Sequence, residues 1–268
     1  MNSEGAISVS SLYRYPIKSC AGSALDFAVI GRRGIEHDRE WMIVDAGNKF
    51  LTQREIPRMA LIVPDIDEHG GLVLNAPQVQ TCRAPVVAIG SEIKVRVWDD
   101  WCGSVDQGDE AADWLSDYLG QKCRLVRMAD FTVRKLDERY SKDGEVGFAD
   151  GYPFLLISEA SLTDLNDRLA EPVAMNRFRP NIVATGSRSY AEDGWRAIRI
   201  GTLAFCVVKP CDRCLITTVN QSTGHKGTEP LRTLATYRKS KDGVMFGQNL
   251  VHQGTGSIHV GDSIEILA

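Results

Sequence analysis

No stretch of this 268-residue chain is apolar for the roughly 20 residues that a membrane-spanning helix requires. The opening Met-Asn-Ser-Glu-Gly also lacks the basic-then-apolar order of a secretory leader. The expectation is a soluble, cytoplasmic protein with no membrane contact. Positive charge is not in excess either, since 31 Lys and Arg face 35 Asp and Glu for a net charge of -4. There is thus no electrostatic case for a nucleic-acid partner. Cysteines number seven, an odd count without framework spacing, which argues for a reducing compartment over a disulfide scaffold. The five histidines include no pair at metal-ligand spacing. Neither a Gly-x-Gly-x-x-Gly fingerprint nor a Cys-rich tail of plant-type ferredoxin spacing occurs, so any electrons are expected from a separate reductase or electron carrier.

What is present is an ordinary globular balance, 43% hydrophobic and 25% charged, in a length that suits one large or two ordinary domains. Short strands are expected at Ile7, Val9 and residues 11–13, at 41–44 and 49–51 around an Asp45-Ala46-Gly47-Asn48 turn, and at 60–63, 71–74, 86–89 and 93–98. A helix capped by Asp109 follows, with an Ala111, Trp114, Leu115, Tyr118, Leu119 stripe and a stop at Gly120. Residues 123–128 resume β character, and 129–151 read as a long polar loop of the kind that forms lids or binding elements. A strand at 153–157 runs into a helix capped by Ser158, with Leu162, Leu165 and Leu169 inward. Strands are expected at 195–200, 203–208, 215–219, 243–251 and 257–267, with a short helix beginning at Thr228-Glu229-Pro230-Leu231. Such spacing suggests a barrel or sandwich rather than a βαβ fold.

Chemistry is concentrated in Lys209-Pro210-Cys211-Asp212-Arg213-Cys214. Thiolates are soft metal ligands, and Lys209 and Arg213 favour the deprotonated form of a neighbouring Cys. A thioredoxin-type dithiol wants its first Cys at a helix N-terminus, whereas Cys214 runs into a β-branched stretch. A structural zinc site wants four ligands, and the other cysteines are scattered singly. Two readings stay open beside these: a pair of small buried hydrophobes, or a metal centre with one protein thiolate and a cofactor supplying the remaining ligands. Arg177 and Arg179, taken alone, read as a solvated pair entering a strand.

The stretch 209–219, followed by Glu229-Pro230-Leu231-x-Thr-Leu-x-x-Tyr237-Arg238, resembles the MOSC domain, the molybdenum-cofactor sulfurase C-terminal type. Tyr15-Pro16-Ile17-Lys18-Ser19-Cys20-x-Gly22 and Asp38-Arg39-x-Trp41 resemble the β-rich domain that precedes it, and Arg179-Pro180-Asn181-Ile182 and Phe246-Gly247-Gln248-Asn249 match in order. The layout is similar to the mitochondrial amidoxime-reducing component and its bacterial counterparts, which reduce N-hydroxylated compounds.

The resemblance implies a mostly β (α+β) fold, a β-barrel MOSC domain over 123–268 packed with a smaller β-rich domain over 1–122, with few short helices. It implies a molybdopterin-type molybdenum cofactor whose metal is held by Cys214, with Cys211 nearby. By position Lys18, Ser19, Arg39, Arg179 and Asn181 match residues that contact the pterin and its phosphate, Asp212 and Arg213 lie beside the metal, and Asn249 closes over the cofactor where the amidoxime reducers carry Tyr. Asp150 matches an acidic residue near the metal and is the candidate proton donor. Electrons are expected from a separate ferredoxin-, flavin- or cytochrome-type donor. A non-catalytic carrier of the cofactor, or a sulfur-transfer or sensing protein, is the competing expectation.

Overall fold

In the computed structural model, residues 6–139 and 144–268 are described; the opening Met-Asn-Ser-Glu-Gly and residues 140–143 of the long loop lie outside them. Strands β1 (Ser8–Arg14), β2 (Ser23–Leu25), β3 (Phe27–Gly31), β4 (Gly34–Ile35) and β5 (Trp41–Asp45) come first. A 3-10 turn at Pro57–Leu61 leads to β6 (Val63–Ile66), β7 (Leu72–Asn75), β8 (Cys82–Ala84), β9 (Glu92–Val97) and β10 (Asp100–Asp106), then to helix α1 (Asp109–Leu119) and β11 (Cys123–Met128). The second half holds β12 (Phe154–Ser158), α2 (Glu159–Asn166), β13 (Ile182–Thr185), β14 (Ala197–Ile200) and β15 (Leu203–Asp212). It finishes with α3 (Leu231–Tyr237), β16 (Lys239–Ser240), β17 (Gly243–Gln253), β18 (Gly256–His259) and β19 (Ile264–Ile266). The chain is mostly β with three α-helices among the described residues, the fold class expected. No helix among the described residues is long and apolar enough to cross a membrane.

The largest sheet runs β19-β14-β15-β17-β12-β13-β1-β2, with β16 paired to β17. β12 and β13 are parallel, which requires a crossover, and α2 supplies it. The Ser158 side chain accepts the Ser161 N–H and starts that helix where the sequence predicts. Strand pairing crosses residue 122 in both directions: β1 joins β13, β3 joins β18, and β11 pairs with both β5 and β10.

Alternation along these strands builds the main core, where Leu12, Phe154, Leu156, Ile182, Phe205 and Leu250 are at most 1% exposed. Each such burial contributes about 1.5–3 kcal/mol. A second core gathers Ile17, Trp41, Leu72 and Leu74 around the α1 face carrying Ala111, Leu115 and Tyr118.

Several expected elements take other forms. Residues 60–63 belong mainly to the 3-10 turn that Pro57 opens, so the strand starts at Val63. Residues 86–89 form no strand; the third strand of that sheet is β8, and Gln107 holds Val87 by its N–H and its carbonyl instead. Asp109 is the first residue of α1 and not its cap, which is Gly108; the neighbouring Asp106 accepts the Gly108 N–H. The 195–200 strand is shortened to β14 by a 3-10 turn at Ala191–Gly194, and 257–267 is two strands, β18 and β19. Most consequentially, the strand expected at 215–219 is a 3-10 turn, Leu215–Thr218. Thr217 Oγ1 donates to the Cys214 carbonyl and Thr218 Oγ1 to that of Leu215, so both hydroxyls satisfy the backbone locally and override the β preference of the run.

Candidate functional site

Two irregularities in the β15–β17 pairing, between Val207 and Lys209 and between Pro210 and Asp212, break the regular alternation of the strand that carries the cysteines. Pro210 has no N–H to give a ladder, and bulges of this kind turn side chains toward sites at strand ends. Cys211 ends up within the last turn of strand, and Cys214 precedes the 3-10 turn with extended backbone. Both thiols face one cleft.

Every residue that the resemblance assigns to the cofactor, the metal or proton delivery lines that cleft: Lys18 and Ser19, Arg39, Asp150, Arg179 and Asn181, Asp212, Arg213 and Cys214, and Asn249. They come from six separate segments on both sides of residue 122. Cys211 lines it too, whereas Lys209 does not and faces a different groove. The cation beside Cys214 is Arg54, whose Nη1 lies 3.4 Å from the sulfur, and Arg213 instead donates to Cys211 Sγ at 3.0 Å. Burial pushes the Cys211 thiol up, against the pull of Arg213, so Cys211 stays protonated.

Backbone conformation brings the cations inward. Ser19, Arg39 and Arg179 have φ of 65°, 48° and 57°, a left-handed region that non-glycine residues seldom adopt and that collects at functional sites. Gly22 has a separate reason to be glycine: a Cβ there would meet the Tyr15 ring at 2.4 Å. That ring is the platform for two guanidinium groups, Arg39 and Arg179, each 4.3 Å from its centroid.

Arg39 Nη1 donates to Asp38 at 2.6 Å and to Asn181 Oδ1 at 3.0 Å, and Arg179 Nη1 donates to the Cys20 carbonyl at 2.5 Å. Arg179 is 8% exposed and is no solvated strand-edge residue; burial, reinforced by repulsion from Arg39, lowers its pKa to about 10. Arg177 also turns inward, donating to the carbonyls of Thr217 and Glu229. The solvated pair expected there is replaced by two arginines held by backbone carbonyls.

Lys18 is 5% exposed, donates to the Phe148 carbonyl at 2.8 Å and pairs with Asp150. Burial lowers its pKa, and the Asp150 charge opposes that shift. Burial acts to raise Asp150, yet the Lys18 charge and hydrogen bond, with Arg54 and the Trp98 Nε1 donor at 3.1 Å, outweigh it and hold the carboxyl well below the usual carboxylate range. The side chain still keeps 56% exposure toward the cleft. As the residues stand, Asp150 is ionised and the proton of the pair sits on Lys18 Nζ.

Three contributors were not visible in the sequence. Arg54 follows a hairpin more than 150 residues before Cys214, and nothing local marks it. Trp98 supports both sides of the site, covering Arg54 with its ring at 4.6 Å and donating to Asp150. Arg134 ties the end of the long loop by donating to the carbonyls of Gly147, Ala149 and Asp150 while pairing with Asp100. Only the loop's length and polarity pointed there, and its last residues do reach the cleft.

The cleft sets Lys18, Arg39, Arg54, Arg179 and Arg213 against the carboxylates of Asp150 and Asp212. Buried Arg213 Nε has no hydrogen-bond partner among the described residues. A surplus of cations, one unsatisfied buried donor and a thiol beside an arginine fit an anionic group that carries a soft metal. No three His, Cys, Asp or Glu among the described residues come together to hold a metal ion unaided.

The MOSC N-terminal beta barrel domain model matches residues 6–122, and the MOSC domain model matches residues 143–265. Mitochondrial amidoxime-reducing component 1 of Mus musculus is 35% identical over 279 residues, covering 97% of this chain and 82% of its own. Mitochondrial amidoxime reducing component 2 of Rattus norvegicus is 37% identical, covering 96% and 82%. Molybdenum cofactor sulfurase of Oryza sativa subsp. japonica is 34% identical over 90% of this chain and 32% of that longer protein.

Proposed function

The chain belongs to the MOSC-domain family, with the N-terminal β-barrel part ahead of the MOSC part, and from that premise we propose that it binds a molybdenum cofactor in this cleft and reduces N-hydroxylated compounds. The observation that carries the reading is the convergence on one cleft of a thiol beside Arg54 with five cations and an unsatisfied Arg213 donor. The relatives named for amidoxime reduction support the reaction type. The sulfurase relatives share the cofactor association.

In this reading Cys214 Sγ holds the metal. Arg39 and Arg179, with Lys18, Ser19 and Asn181, hold the anionic and hydrogen-bonding parts of the pterin; Arg213 offers its free Nε, and Asp212 and Asn249 close the rim. Arginine suits this duty because its planar fork stays charged and matches phosphate oxygens. Bound there, the cofactor supplies the two electrons.

Conversion of N–OH to N–H breaks one N–O bond, takes up two electrons and two protons, and releases water. Proton delivery falls to the Lys18–Asp150 pair. Burial makes Lys18 Nζ readier to release its proton into the cleft, while the ionised Asp150 carboxylate holds that ammonium in place. The proton-donor duty expected of Asp150 thus falls to Lys18, with Asp150 as its positioning partner. Arg54 stands beside the Cys214 sulfur, and Cys211, whose thiol burial pushes up, does not compete for the metal. The electrons come from a separate donor protein, and the division at residues 122 and 123 is retained as part of this proposal.

The test is metal analysis and single-turnover reduction on protein from a host that makes the cofactor. Near-stoichiometric molybdenum and rapid reduction of benzamidoxime by the dithionite-reduced protein, both lost in Cys214→Ala, are expected. Tight cofactor binding without turnover on any N-hydroxylated compound would favour the carrier, and zinc or no metal would overturn the reading.

A further inference from the structure

Arg54 faces two ways. Its Nη1 approaches Cys214, and its side chain also lines a second cavity of about 280 Å³ whose other walls include Lys49, Phe50, Arg96 and Trp98. Trp98 sits at the junction, touching Arg54 by its ring and Asp150 by its N–H. Its φ of 55° is unusual for a bulky residue, and strained backbone of this kind persists where a site holds it. The isolated bridge between Lys49 and Arg96 brings two further cations to the same wall. Among the described residues Glu55 is the one carboxylate lining this cavity, against Lys49, Arg54 and Arg96. Arg96 is held in place by donating to the Trp98 carbonyl at 2.8 Å, and it shares one further donor with the fully exposed Asp99. The mechanism above uses neither Lys49 nor Arg96.

An N–O bond reduced beside Cys214 leaves the rest of its substrate to extend past Arg54. We propose that this adjoining cavity receives the remote part of the substrate, and that this part bears an anionic substituent, a carboxylate or a phosphate, recognised by Lys49 and Arg96 together with Arg54. The inference rests on the reductase reading for the position of the N–O bond, but not for the charge preference. Guanidinium and ammonium donors at one wall bind such an anion through charge-assisted hydrogen bonds.

The experiment compares benzamidoxime with its 4-carboxy and 4-phosphono derivatives, by calorimetric titration of the molybdenum-loaded protein and by reduction kinetics. At least one anionic derivative is expected to bind about tenfold more tightly than the neutral parent. The ratio is expected to fall toward one in the Lys49→Gln, Arg96→Gln double variant, and being internal to each protein it is insensitive to partial unfolding. A preference for only the carboxylate or only the phosphonate identifies which anion the cavity takes. Equal binding of all three probes by the parent protein, or no binding of any, overturns the inference. So does an anionic preference that survives the double variant, since the anion would then sit on other cations. An anionic preference that collapses in the variant, without reduction of any probe by the dithionite-reduced protein, upholds the cavity and overturns the reductase reading.

Discussion

The main sheet core and the cleft are built from the same strands on opposite terms. In the core, Phe154 and Phe205 meet edge to face at 5.3 Å among residues that are almost all aliphatic, and none of them has φ in the left-handed region. At the cleft, Ser19, Arg39, Trp98 and Arg179 all do, and Arg39 and Arg179 repel one another across the Tyr15 ring. The core is satisfied by the chain alone. The cleft holds positive charge in surplus and one buried donor, Arg213 Nε, with no acceptor among the described residues, which an anionic group would relieve. The difference teaches that the stability of this protein and its chemistry reside in separate residues, and each can be altered without the other.

The sharpest way to test that separation is Cys214→Ala. Molybdenum content is expected to fall to about a tenth or less of the parent, as when a metal loses its protein ligand, with folding stability unchanged within about 0.5 kcal/mol. Metal analysis beside urea unfolding reads both, and Cys211→Ala should retain most of the metal. Phe205→Ala, in the core and away from the cleft, is the converse: a loss of about 3–5 kcal/mol from the core, seen as a shift of the urea midpoint. If Cys214→Ala destabilised the fold as much as Phe205→Ala, the two regions would not be separate.

Arg134→Ala probes the border between them. It strips donors from three loop carbonyls and unpairs Asp100, for an expected loss of about 2–3 kcal/mol. Limited proteolysis should then cut near residues 144–151 first. Uniform resistance of that segment would show that Arg134 does not position the loop.

The smallest effect is that of the Lys18–Asp150 pair on pH stability. The folded pKa of Asp150 is depressed below its unfolded value of about 4, so its contribution is present above that pH and is lost as pH falls through the folded value. Asp150→Asn should therefore lower the melting temperature near pH 7 and do so less at about pH 3. Because the carboxylate is more than half exposed, the difference should stay below about 1 kcal/mol. A larger loss at acid pH than at neutral pH would reverse the assigned sign.

Local signals in the chain carried much of this. Apolar alternation marks β1 and a short continuous apolar run marks β12, the Ser158 cap and the Gly120 stop mark the helices, and the Asp45 turn carries its hairpin, because each is settled by neighbours a few residues away. The Leu215–Thr218 turn was illegible because β-branched residues favour strand, and only hydroxyl bonds to local carbonyls reverse that preference. The strand expected at 86–89 failed for a different reason, since its backbone partner is the Gln107 side chain.

The motifs identified the family and the residues that line the cleft, since residue type and order survive without coordinates. Which cation stands beside Cys214 was decided by tertiary structure alone. Lys209 and Arg213 are its neighbours in sequence, but irregular pairing turns Lys209 away and engages Arg213 with Cys211, and Arg54 arrives from a hairpin in the other half. The same holds for the inward Arg179 and for the proton on Lys18. Burial and the distance to an opposite charge set both, and neither quantity exists until segments far apart in the chain are packed together.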